Sequence, residues 1–276
     1  MTGTLILCAT PIGNLEDLSE RATYTLRNAD VIFAEDTRRT GLLLKHIGAS
    51  VPMKSFHAHN EQSRLAGLVA HLEAGNTVVL VSDAGMPTLS DPGMAAVEAA
   101  ADVGATVTVV PGPSAVTSAL AVSGFDGDRF VFEGFLPRKG RGRTEVLQSI
   151  GSARTTVVFF ASPKRVVKDL THISGHCNGT RRVVLARELT KLHEEIWRGT
   201  LADAIEHWGQ QENIRGEFTV VLDGAAEAVP DMERAKDAAE DLISQGSTAS
   251  DAVRVVASAT GVSRRQLYDL VIRPHE

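Results

Sequence analysis

The residues best suited to chemistry sit in short polar clusters, each directly after an apolar run. Phe33-Ala34-Glu35-Asp36-Thr37-Arg38-Arg39 places two carboxylates beside two guanidiniums. Its default reading is a solvated ion-pair patch. Its functional reading is a site where Glu35 or Asp36 orients or deprotonates a substrate while arginines hold phosphate. Val81-Ser82-Asp83-Ala84-Gly85-Met86-Pro87-Thr88-Leu89-Ser90-Asp91-Pro92-Gly93 runs from an apolar stretch into two acidic Gly/Pro turns. Asp83 can accept hydrogen bonds from a ligand hydroxyl or amine; equally, the aspartates can cap a helix behind a tight turn. Thr10–Leu15 and Val110–Ala115 follow two further apolar runs, and Ala186–Lys191 and Gly216-Glu217-Phe218 lie further on.

Several other chemistries are excluded. The chain has no G-x-x-x-x-G-K-[ST] phosphate loop, and Gly140-Arg141-Gly142 lacks the third glycine of a dinucleotide fingerprint. His193-Glu194-Glu195 has no second histidine at zinc-protease spacing. His57 and His59 share a face if their segment is a strand, but two ligands are too few, so no metal is expected. Two cysteines, Cys8 and Cys177, cannot build a disulfide framework.

These clusters need a scaffold. Thr4–Ala9, Val31–Ala34, Thr77–Val81 and Thr106–Val110 read as continuous apolar strands, with helices at Gln62–Leu72 and Met94–Val103 between them. That alternation predicts a mostly parallel sheet covered on both faces, over residues 1–115. Ligands in such sheets bind beyond the carboxyl ends of the strands, where the three loops would share one crevice. Phe130–Phe135, Thr155–Ala161, Arg182–Ala186 and Glu217–Asp223, with a helix at Lys164–Ile173, predict a second α/β domain over 116–224. If its clusters face the first domain, the site lies between the two. From residue 225 to 276 strand signals vanish. Helices are expected at Asp231–Gln245, Thr248–Thr260 and Arg264–Ile272, ended by Gly246 and Gly261 and, for the last, begun by Ser263. They form either a helix-turn-helix-like unit or a helical tail packed on the body.

The hydrophobic fraction is 43%, the charged fraction 22% and the net charge −6, ordinary for a globular chain and unlike a protein that coats nucleic acid by bulk charge. Local clusters still matter. Arg138-Lys139-Gly140-Arg141-Gly142-Arg143 is either a solvated loop or a phosphate-binding one. The start Met1–Thr4 lacks the positive region of a secretory leader, and no apolar run reaches the roughly 18 residues of a membrane span, so a cytoplasmic location is expected.

The segments ATPIGNLEDLSERA, AEDTRRT, FHAHNE, SDAGMPTLSDPG, PGPSA, GFLPRKGRGR, ARELTKLHEE and RGEFTVVL occur in this order. Together they closely resemble the bacterial small-subunit ribosomal RNA (cytidine-2′-O)-methyltransferases, of the tetrapyrrole methylase superfamily, over roughly residues 4–224. The resemblance implies two α/β domains with the active-site cleft between them, a homodimer, and S-adenosylmethionine as methyl donor. It implies 2′-O-methylation of a cytidine ribose in the decoding centre of the small-subunit (16S) RNA, free or in the assembled subunit. By position, the donor would meet Pro11, then Ser82, Asp83, Ala84, Gly85, Met86 and Pro87, then Ser114 and Ala115, with Ser162, Glu188, Leu189, Gly216 and Glu217 from the second domain. Met86 departs from the family's usual SDAGTP and removes a hydroxyl there. Glu35 or Asp36 is then the general base or orients the ribose hydroxyl, and Arg21, Arg38, Arg138, Lys139, Arg141 and Arg143 are expected on RNA phosphates. Two alternatives compete: a tetrapyrrole or protein methyltransferase of the same superfamily, and a non-catalytic ribosome-assembly factor, which Met86 alone encourages.

Overall fold

The computed structural model describes residues 2–225 and 232–272. The chain divides into two compact units, Met1–Ala225 and Ala226–Glu276.

The first unit holds two five-stranded sheets. In the first, β1 (Thr4–Cys8), β2 (Val31–Ala34), β3 (Met53–Ser55), β4 (Thr77–Val81) and β5 (Thr106–Val110) lie in the order β3-β2-β4-β1-β5, all parallel. Alternate residues face opposite ways: Val78 and Leu80 join one core under α3 (Glu61–Glu73) and α4 (Met94–Asp102). Val79 and Val81 join the other under α1 (Glu20–Arg27) and α2 (Thr37–His46). Burial on both faces explains why β2 and β4 are uninterrupted apolar runs rather than alternating ones. The connection from β1 leaves toward β2, whereas that from β4 crosses to β5. The crevice therefore opens between β1 and β4, at the point where the winding reverses.

The second sheet comprises β6 (Phe130–Phe135), β7 (Thr156–Ala161), β8 (Arg182–Arg187), β9 (Glu195–Thr200) and β10 (Phe218–Leu222), ordered β6-β7-β10-β8-β9. Only β6 and β7 pair in parallel. One face packs on α5 (Ala115–Ser123), through Val116 and Ala119 against Val158, Val184 and Val221. The other carries α6 (Arg141–Ser152), α7 (Val166–Ser174) and α8 (Leu201–Gly209), closed around Trp208, Phe159 and Phe218. Thr200 and Asp203 form a reciprocal capping box at the start of α8.

Two strands escaped the sequence pattern, β3 and β9. The segment holding His57 and His59 is a turn after β3 rather than a strand, so those side chains do not share a sheet face.

The second unit contains α9 (Met232–Ser244), α10 (Ala249–Thr260) and α11 (Arg264–Ile272), packed on Ala235, Ala239, Val253, Val256 and Leu267. Gly246 (φ 97°) and Gly261 (φ 71°) provide the left-handed stops, and the Thr248 hydroxyl accepts the Asp251 N–H as N-cap. The expected first residue of its first helix, Asp231, lies outside the described residues. Among the described residues no helix is long and apolar enough to cross a membrane, and no group of three or more His, Cys, Asp or Glu is placed to hold a metal.

Candidate active site

The loops after β1, β2, β4 and β5 converge at the carboxyl edge of the first sheet and meet residues of the second. Thr10 and Gly85 bond reciprocally through their backbones (2.9 and 3.0 Å), which locks the β1 and β4 loops side by side. The Asn14 N–H donates to Thr190 Oγ1 at 3.1 Å, joining the β1 loop to the second-sheet turn after β8. A cavity of about 480 Å³ lies between, flanked by a second of about 390 Å³.

The larger cavity is lined by Asp83, Ala84, Gly85 and Met86, by Ser114 and Ala115, and by Ser162, Glu188, Leu189 and Glu217. Turns from across the chain thus face one space. Pro11 and Ser82 line the smaller cavity, while Pro87 and Gly216 line neither. Gly216 acts at one remove: with φ 94°, an added Cβ there would meet Glu188 Cγ at 2.5 Å, so glycine permits the Glu188 side chain to lie where it does.

The two neighbouring candidate carboxylates have different fates. Glu35 lines the larger cavity and accepts the Asp83 N–H at 3.1 Å. Asp36 does not line it. Its carboxylate caps α2, accepting the Arg38 N–H at 2.8 Å and the Arg38 guanidinium at 2.6 and 3.0 Å. Those Arg38 bonds hold its pKa well below the usual carboxylate range. Asp36 thus serves α2 as its N-cap, and of the two expected carboxylates only Glu35 faces the larger cavity.

On the second sheet Lys191 Nζ bridges Glu188 Oε1 and Glu217 Oε2, each at 2.9 Å. Burial opposes the Glu188 charge, but Lys191 and the Glu217 N–H outweigh it and hold its pKa low. Arg39 Nη1 lies 3.5 Å from Asp83 Oδ2, and both line both cavities. Asp83 Oδ1 is buried with no hydrogen-bond partner among the described residues. A buried acceptor without a donor is costly in isolation and suits a ligand hydroxyl or amine.

Arg39, Lys191 and Asp91 lie in clusters that the sequence singles out, but without a place at the donor site, and the apolar walls Phe135 and Phe160 were missed. Burial, then the Glu35 and Asp83 carboxylates, push the Asp91 pKa up to about 6. The only sequence signal for Asp91 is its place before Pro92-Gly93, a turn mark that says nothing of burial.

The basic run divides. Arg141–Arg143 form the first turn of α6 rather than a loop. Arg143 is corrected from RNA ligand to internal brace. It is 7% exposed, pairs with Asp169 at 2.8 Å and donates to the Pro137 carbonyl at 2.9 Å. Arg138, Lys139 and Arg141 are exposed, Arg141 beside Glu145. Arg21 and Arg38 are exposed as well.

A family model described as Tetrapyrrole (Corrin/Porphyrin) Methylases matches residues 4–205. Curated relatives named "Ribosomal RNA small subunit methyltransferase I" include one from Synechocystis sp., 44% identical, covering 97% of this chain and 97% of its own. Those from Thermotoga maritima (49% identical, 80% of this chain, 99% of its own) and Mycobacterium tuberculosis (42%, 99% and 95%) carry the same name. Among solved structures, the fold matches the methyltransferase CobJ with TM-score 0.61 at 18% identity, covering 82% of this chain and 95% of that one. Uroporphyrin-III-C-methyltransferase from Thermus thermophilus matches with TM-score 0.59 at 18% identity, over 80% and 94%.

Proposed function

The chain belongs to the tetrapyrrole (corrin/porphyrin) methylase family, and from that premise we propose that it transfers a methyl group from S-adenosylmethionine to small-subunit ribosomal RNA in the cytoplasm, at the 2′-oxygen of a cytidine ribose in the decoding centre. The observation that carries the reading is the meeting of the β1, β4, β5, β7 and β8 loops around one cavity. The names of the relatives, at 38–49% identity over most of the chain, support the RNA acceptor over a tetrapyrrole.

The cavity suits the donor. Phe135, Phe160 and Leu189 offer apolar walls, Asp83 Oδ1 offers an unused buried acceptor, and the carboxylates of Glu35, Asp83 and Asp91 favour a cationic ligand. Gly85 (φ 77°) brings backbone close to this wall, where a Cβ would touch Ile12 Cγ2 at 3.4 Å. Bound there, the sulfonium supplies a methyl carbon already activated toward an oxygen nucleophile, so the protein's task is alignment at roughly 3–3.5 Å and removal of a proton. Glu35 orients the ribose hydroxyl, held by the Asp83 N–H. Exposed Arg21, Arg38, Arg138, Lys139 and Arg141 hold RNA phosphates. Met86 keeps the backbone contacts of its turn without the hydroxyl of a threonine.

The protein is read as a homodimer, which its exposed apolar edge residues Val109, Phe130 and Val131 support; light scattering in solution tests this. The substrate is tested by transfer of radiolabelled methyl to small subunits lacking the modification, with nuclease mapping of the product. Label on a decoding-centre cytidine ribose supports the reading. Donor binding by calorimetry with no label on subunits or free RNA rejects it, and label on a precorrin moves it to the tetrapyrrole branch.

A further inference from the structure

We propose that Asp91 is the general base of the transfer, its carboxylate taking the proton of the attacking ribose hydroxyl; the assignment rests on the methyltransferase reading above. Between β4 and α4 the backbone enters the left-handed region at two residues with side chains, Thr88 (φ 76°) and Ser90 (φ 66°), and again at Gly93 (φ 136°). The far end is pinned, since the Gly93 N–H donates to Glu61 Oε1 at 3.1 Å. A Cβ on Gly93 would meet Leu80 Cδ2 at 2.8 Å. Left-handed conformations at non-glycine residues are unfavourable and persist where surrounding structure enforces a particular placement. The turn so built sets Leu89, Ser90 and Asp91 on the wall of the larger cavity, and Asp91 is the one of the three that can take up a proton at neutral pH.

The neighbouring carboxylates are committed elsewhere. Asp36 caps α2, Asp83 has Arg39 beside Oδ2 and its buried Oδ1 left to the donor, and Glu35 accepts the Asp83 N–H. Across the cavity Lys191 is held between Glu188 and Glu217. Asp91 faces Glu35 and Asp83, both of its own sign, and only the Ser82 side chain favours its charged form. Burial and those two charges bring its pKa to about 6. A base of that strength is ionised at neutral pH and still receptive to a proton. In the step, the hydroxyl proton passes to an Asp91 carboxylate oxygen as the bond from the 2′-oxygen to the methyl carbon forms. The carbon–sulfur bond breaks with its electron pair on sulfur, so the sulfonium leaves as a neutral thioether.

The test compares wild type, D91N and D91E. In D91N, kcat should fall at least 10²-fold, far more than the weakening of S-adenosylmethionine binding that calorimetry reads on loss of one cavity charge, while the Michaelis constant for subunits stays within about twofold. The acidic limb of the wild-type kcat/KM profile, centred near pH 6, should vanish in D91N and persist in D91E. Independently of activity, carbon-13 NMR should show the assigned Asp91 carboxyl titrating near pH 6 in the wild type. Wild-type turnover in D91N, an acidic limb retained by D91N, or an Asp91 carboxyl titrating in the ordinary range overturns the proposal. Should D91N lose its cooperative melting transition, the wild-type titration decides alone. If the wild type itself methylates neither subunits nor RNA, the acceptor reading has failed rather than the choice of base.

Discussion

Glu35 Oε2 accepts the backbone N–H of Asp83 at 3.1 Å, tying the end of β2 to the end of β4 at the cavity wall. The bond fixes one carboxylate oxygen and leaves the group within electrostatic reach of Asp91, whose pKa it helps to raise. Glu35→Gln keeps the shape and an acceptor for the same N–H but removes the charge. Turnover should fall by about tenfold or more through poorer orientation of the hydroxyl. The acidic limb of the kcat/KM profile should also move below pH 6, because a like charge next to Asp91 has gone. An unmoved limb would show that the two carboxylates do not interact.

Asp36 is one residue further on and should behave oppositely. As the N-cap of α2 it serves the helix, so Asp36→Ala should lower Tm by roughly 2–4 °C while leaving kcat within about twofold. Its folded pKa lies below the unfolded value, so the stability it contributes is present above the ordinary aspartate range and is lost as pH falls through the depressed value. Melting curves of wild type and variant should therefore converge in strong acid. A large loss of turnover with an intact fold would return Asp36 to the reaction.

Arg143 and its exposed neighbours separate stability from RNA binding. Arg143→Ala leaves Asp169, 2% exposed, with Arg165 at 3.3 Å as its remaining cation. The expected loss is about 3 kcal/mol, the low end for breaking a buried pair. The salt slope of RNA binding should not change. Neutralising Arg138, Lys139 and Arg141 should do the reverse, preserving Tm while flattening the slope by roughly 0.7–0.9 for each phosphate no longer neutralised. Filter binding across a salt series, beside thermal melts, distinguishes the two classes.

The contrast between Glu35 and Asp36 also shows where sequence pattern stops. β2, β4 and β5 were readable because β-branched runs end abruptly at polar or Gly/Pro turns, β6 from its aromatic start Phe130-Val131-Phe132, and the site turns from glycines, of which Gly85, Gly93 and Gly216 carry positive φ in the structure. β3 is three partly buried residues, Met53-Lys54-Ser55, with no alternation to detect. β9, Glu195–Thr200, hides charged residues that pair across the hairpin, as Glu195 does with Arg187. Arg143 reads like its neighbours, since a buried guanidinium differs from a free one only by what folds against it. Asp91 is the same problem at the site: its basicity comes from burial and from Glu35 and Asp83, which reach it only through the sheet.

That origin gives Asp91 an energetic signature opposite to Asp36. Its folded pKa, about 6, lies above the ordinary aspartate value of about 3.9. Below the lower value the group is protonated in both states and contributes nothing. As pH rises, the unfolded chain releases its proton first, so ionisation favours unfolding until the folded group has also titrated near pH 6. Above that the penalty is complete. Asp91→Asn abolishes it, so the variant should melt a few degrees higher than wild type at pH 8, the difference shrinking toward zero as pH falls below about 3.9; solvent contact at this half-buried group keeps the gain modest. A more stable protein that has lost its turnover is what a strained catalytic charge predicts. If D91N melts lower than wild type at pH 8, the carboxylate is a structural support, and its raised pKa has another origin.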